Sequence, residues 1–157
     1  MSATGRERTR KFLVVIDKTP ECHVAVRFAT RRAQHTRGRV TLFCAAQPGD
    51  FQQWRGVEEI MRDEAWQEAE SLVFDAAKVV NDLSGIMSEF AILEGRPFDC
   101  LLKLMKEDKD VSILVLAASS AKEGPGPLVG MIATNQYPIP VTIVPGNLTD
   151  EQIDALG

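Results

Sequence analysis

The sequence predicts a three-layer α/β sandwich, a parallel sheet covered by helices on both faces. Three observations carry this reading. Short runs of apolar β-formers alternate with segments of helical apolar spacing. Two runs, Phe12 to Ile16 and Val111 to Ala117, are apolar almost throughout, with Ser112 the one polar residue, as strands buried on both faces are. Proline and glycine mark the changes from one kind of segment to the other, at Pro20, Gly38, Gly85 and Pro97.

Phe12 to Ile16 is the first strand and ends in Asp17. Thr19-Pro20-Glu21 reads as a helix start, with Thr19 as N-cap, Pro20 in the first helical position and Glu21 beside the positive helix end. This helix runs to about Thr36, buries Cys22, Ala25, Val26, Ala29 and Ala33 on one face, and is closed by Gly38. Val40 to Ala46 is the second strand, broken by Gln47-Pro48-Gly49-Asp50. From Trp54 to Leu83 apolar residues recur at helical spacing, opposite a charged face that includes Glu58, Arg62, Glu68 and Lys78, and Gly85 suits the stop. Ser88 to Leu93 is a weaker strand, and Pro97 opens a helix that carries Leu101, Leu102 and Met105. Val111 to Ala117 is the fourth strand, and a short helix starts near Leu128. Pro140 to Val144 is the fifth, and its prolines place it at an edge. Thr149 with Gln152 forms a capping box for a last helical turn.

The 157 residues are expected to make one domain, with a flexible tail over 1–11 and a C-terminal extension over 146–157. A net charge of −4 gives no general attraction to nucleic acid or anionic membrane, and no apolar run is long enough to span a bilayer. The tail carries Arg6, Arg8, Arg10 and Lys11 without the apolar segment of a signal peptide, so a cytoplasmic location is expected. Cys22, Cys44 and Cys100 are odd in number and widely spaced, and read as reduced thiols rather than a zinc or disulfide framework. His23 and His35 lack the i, i+4 spacing of metal ligands, and no GxSxG, P-loop or HExxH motif occurs, so neither a catalytic residue nor a metal site is expected. Glu58-Glu59 and Asp63-Glu64 read as a solvated helix face, and Trp54 and Trp66 as packing residues.

In parallel sheets ligands sit beyond the carboxyl ends of the strands, at the point where strand order reverses. Asp17-Lys18-Thr19 and the loop from Ala117 to Gly130 are placed for that. The loop contains Gly124-Pro125-Gly126-Pro127, which is stiff because proline fixes φ and removes donors.

The segments FLVVIDKTPE, RVTLFCA, LEGRPFDCLLKLMKEDKDVSILVLA and PIPVTIVP together resemble the universal stress protein family over roughly Lys11 to Pro145. The resemblance implies five parallel strands in the order 3-2-1-4-5, with strands one and four adjacent. It implies a non-enzymatic stress-response protein, homodimeric through the last strand, Val141 to Val144. The ATP-binding branch of the family carries Gly, two residues, Gly, nine residues, Gly, then Ser or Thr after strand four. These positions fall on Ala117, Ser120, Gly130 and Met131, so only the third glycine is kept. Ala117 adds a methyl where backbone would approach the ligand, Ser120 adds a hydroxyl, and Met131 replaces a phosphate-binding hydroxyl with an apolar chain. Backbone N–H groups at the helix start remain, and Lys122 offers a charge. Two readings stay open: a weakened or lapsed adenine-nucleotide site, and a functional one for ATP or AMP. By the same resemblance Asp17 contacts adenine; read from the residues alone, it caps the first helix region or the strand end. Val15 and Ala45 line the adenine pocket, or are core residues.

Overall fold

The computed structural model describes residues 9–47, 57–134 and 136–157. Its elements run β1 (Lys11–Val15), α1 (Cys22–Thr36), β2 (Arg39–Ala46), α2 (Val57–Ser84), β3 (Glu89–Glu94), α3 (Pro97–Glu107), β4 (Val111–Ala118), α4 (Pro127–Gly130), a 3-10 turn (Met131–Thr134), β5 (Val141–Pro145) and α5 (Asp150–Leu156). The five strands form one sheet in the order β3-β2-β1-β4-β5, with every pairing parallel. The expected architecture and strand order are therefore present, with β1 and β4 neighbours.

Side chains of the central strand β1 alternate across the sheet and are buried on both sides, which is why Phe12 to Ile16 reads as an unbroken apolar run. Phe12, Val14 and Ile16 pack into the core shared with Val24 and Ala29 of α1, Val73 and Val80 of α2 and Ile153 of α5. Leu13 faces the other core, with Phe43, Leu114 and the α3 residues Leu101 and Met105.

The start of α1 differs from expectation. Thr19 is not its N-cap, and the helix begins at Cys22 after an N-cap, Glu21, whose side chain makes no capping bond. Asp17 has captured the Thr19 groups: its Oδ1 accepts from the Thr19 backbone N–H at 2.9 Å and from Thr19 Oγ1 at 2.5 Å. The chain then turns once through Pro20 and Glu21, with the Cys22 N–H donating to the Thr19 carbonyl at 3.3 Å. At the other end Arg37, not Gly38, takes the left-handed conformation, with φ 54°. Gly38 is still needed, because a Cβ there would lie 2.6 Å from the Arg10 carbonyl oxygen.

The predicted break at Gln47-Pro48-Gly49-Asp50 and the predicted helix start at Trp54 fall largely outside the described residues, as do the Glu58 side chain and most of the N-terminal tail. Helix α2 ends at Ser84, followed by Gly85 at φ 75°. Strands β3 and β5 form the two edges, so the prolines around β5 mark an edge strand as expected.

The capping box of α5 is complete: Thr149 Oγ1 accepts from the Gln152 N–H, and the Thr149 N–H donates to Gln152 Oε1. The extension packs onto α1, with Ile153 fully buried and Asp154 bound by Arg27 and Arg31. At the amino ends of the strands the buried Lys11 Nζ donates to Glu89 Oε2 at 2.8 Å and Asp108 Oδ2 at 2.5 Å. Among the described residues no helix is long and apolar enough to cross a membrane.

Candidate functional site

A cleft of about 680 Å³ opens at the carboxyl ends of β1, β2 and β4. It forms where the order reverses: crossovers from β1 lead toward β2, those from β4 toward β5, and the loops part between them. Its floor is apolar, with Val15 and Ile16 from β1, Ala45 from β2 and Leu116 from β4, and Leu72 of α2 walls one side. Cys22 and Cys44 also line it. Burial pushes both thiols up to about 11, so near neutral pH they are uncharged, weakly polar lining and poor nucleophiles.

The far wall is the loop after β4. The Ser119 N–H donates to the Pro125 carbonyl at 3.0 Å, which folds residues 119–125 into a closed turn. Gly124 and Gly126 both sit at φ 105°, a region that side chains rarely adopt, so the Gly-Pro-Gly-Pro segment is a fixed corner between this turn and α4. Pro125, Pro127, Leu128 and Met131 face the cleft. A third wall is the β3–α3 connection. The Gly95 N–H donates to the Ala46 carbonyl at 3.0 Å and holds this loop against the end of β2. Phe98 meets the Tyr137 ring edge to face at 5.6 Å, and the Tyr137 hydroxyl donates to the Leu128 carbonyl at 2.6 Å. The starts of α3 and α4 are thus joined across the mouth.

The structure brings Val15, Asp17, Ala45, Ala117 and Met131 together around this one cleft. Ser120 and Gly130 are not among its lining residues. Ser120 is exposed on the closed turn, and Gly130 ends α4, where an added Cβ would meet nothing within 4 Å. Lys122 is exposed on the turn as well, away from the lining. Asp17 is exposed, and its Oδ1 accepts from the Thr19 backbone N–H and hydroxyl. Trp66 is 37% exposed, with Nε1 donating to Glu70, and does not line the cleft; Trp54 lies outside the described residues. His23 and His35 are exposed on α1.

Sequence reasoning placed Lys18 in the ligand-side segment after β1 but missed Glu68, Arg96 and Phe98 as lining residues. Lys18 and Glu68 pair across the rim. Arg96 is exposed and has no ion-pair partner among the described residues. The available signal was the Gly-Arg-Pro run, a strand end and helix start on the ligand side of the sheet. The described residues contain no cluster of three or more His, Cys, Asp or Glu side chains placed to hold a metal ion.

The profile of the Universal stress protein family matches residues 8–145. The chain belongs to the universal stress protein family. Solved members of the family share its fold at low identity. UspA from Lactobacillus plantarum superposes with a TM-score of 0.73 at 16% identity, covering 88% of this chain and 99% of that one. A universal stress protein from Archaeoglobus fulgidus in complex with dAMP gives 0.62 at 20% identity, over 86% and 97% of the two chains. A family protein from Arabidopsis thaliana with AMP bound gives 0.60 at 15% identity, over 90% and 94%. No curated protein matches the sequence.

Proposed function

We propose that this universal stress protein is a non-enzymatic, stress-response regulatory protein whose cleft takes the nucleoside end of an adenine nucleotide and holds phosphate weakly. The observation that carries the reading is the contrast between the two ends of the cleft. Val15, Asp17 and Ala45 offer an apolar floor with one carboxylate at its edge, suited to a purine. At the phosphate end of the family's signature stand Ala117 and the Met131 side chain, which bring no donors. Relatives with AMP or dAMP bound support the ligand class. In this reading the protein works as a homodimer paired through β5, and ligand alters which surface it presents by favouring one of two states.

A second reading, a fully functional ATP or AMP site, is favoured by Gly130. It is the one glycine of the family's signature that this chain keeps, although neither a positive φ nor close packing requires glycine there. Amide NMR on the labelled protein tests the first reading. Adenosine at millimolar concentration is expected to shift the resonances of Val15, Asp17 and Ala45. No shift at these residues would overturn it.

A further inference from the structure

Three carboxylates, Asp17, Glu21 and Glu68, stand around the cleft against two cations, Lys18 and Arg96. The described lining therefore carries a formal charge of −1, which opposes a triphosphate and leaves little attraction for any polyanion. The two cations are not equivalent. Lys18 is engaged by Glu68, whereas Arg96 has no ion pair among the described residues and stands at the cleft mouth. Its backbone is held on both sides: Gly95 is bonded to Ala46, and Phe98 meets Tyr137 edge to face, with Tyr137 tied to Leu128. Arg96 thus lines the same cleft as the start of α4, on a supported stretch of backbone.

We infer that Arg96 is the anion-holding residue of this cleft, which makes the cleft selective for adenine ligands with a single phosphate. A planar guanidinium offers a fork of donors to one phosphate and carries its charge at every physiological pH. It stands in for the donors that the loop after β4 no longer supplies. Further phosphates would meet no second free cation in the described lining, where Lys18 is engaged by Glu68, and would add to the repulsion from Glu21 and Glu68. The inference rests on the reading of the cleft as an adenine site, and adenosine, which has no phosphate, separates the two.

The experiment is calorimetric titration of the full chain and of Arg96→Gln and Arg96→Lys with adenosine, AMP and magnesium ATP. The wild-type protein is expected to bind AMP about tenfold more tightly than adenosine, and ATP no more tightly than AMP. Arg96→Gln is expected to bring AMP down to the adenosine level with adenosine unchanged, and Arg96→Lys to retain part of the difference. If wild-type binds adenosine and AMP equally, or Arg96→Gln weakens both alike, the assignment of Arg96 is overturned while the adenine reading stands. If adenosine does not bind at all, the adenine reading falls, and this inference with it.

Discussion

In the proposed reading, Met131 and Ala117 are the single side chains that weaken the phosphate end of the cleft they line. Met131→Ser with Ala117→Gly should strengthen ATP binding by up to about tenfold, as a hydroxyl donor and closer backbone approach return. Adding Ser120→Gly should change nothing further, because Ser120 does not line the cleft. A triple variant clearly tighter than the double would show that the closed turn opens onto the ligand. The fixed corner at Gly126 gives a second residue-scale expectation. Gly126→Ala forces a Cβ into φ 105° and should cost about 1–2 kcal/mol in urea denaturation, although open space surrounds the position.

Lys11, Glu89 and Asp108 set a pH dependence. Burial alone would push the Glu89 and Asp108 carboxyls up, but their hydrogen bonds and attraction to Lys11 outweigh it and hold both below the ordinary range. Carboxyls lowered in the folded state add stability above their unfolded values, and it is lost as pH falls through the folded ones. For Lys11 burial pulls the value down, while the hydrogen bonds to Asp108 and Glu89 raise it on balance. Its contribution is therefore complete below the ordinary lysine value and is lost only as pH rises through the raised one. The urea midpoint should be flat around neutrality and fall below about pH 4. Lys11→Met should flatten that acid limb and cost about 1–3 kcal/mol at pH 7, a range discounted because water reaches both carboxylates. An unchanged acid limb in the variant would place the titrating groups elsewhere.

At the scale of elements, α5 and β5 make separate claims. Helix α5 is held by the buried Ile153 and by the Asp154 carboxylate on Arg27 and Arg31. Ile153→Ala should cost about 2–4 kcal/mol, since the cavity would open beneath a helix that relaxes only in part. A loss under 1 kcal/mol would mean that α5 is not part of the cooperative unit. Strand β5 leaves Ile143 41% exposed on an unpaired edge, which a second copy would cover. Sedimentation at micromolar concentration should show a dimer for the wild-type chain and a monomer for Ile143→Lys. A wild-type monomer, or a dimer indifferent to this change, would remove β5 as the pairing edge.

The elements also show what could be read from sequence. Strands β1 and β4 were legible because burial on both faces leaves a run that is apolar but for Lys11 and Ser112 near their starts. Helix α5 was legible because its capping box is local. The start of α1 was not, because Asp17 competes for the Thr19 hydroxyl, and a spacing rule does not report which of two acceptable hydrogen bonds wins. In the cleft, Val15, Asp17, Ala45, Ala117 and Met131 were legible because strand ends and the loop after β4 converge in any sheet of this order. Arg96 and Phe98 were not. Their place depends on long-range links through Ala46, Tyr137 and Leu128 that no local pattern encodes.

At the scale of the whole molecule, the sheet order creates a cleft at the carboxyl ends of the strands, and the proposed reading gives that cleft an adenine nucleotide held only weakly by its phosphate. The chain's net charge of −4 works in the same direction, since it offers polyphosphates no long-range attraction. The central claim is therefore quantitative. Isothermal titration with magnesium ATP should give a dissociation constant on the order of 0.1 mM or weaker, near −5.5 kcal/mol or less favourable, with adenosine within about a factor of ten. Micromolar affinity for ATP, far above that for adenosine, would show an intact phosphate site and contradict the account.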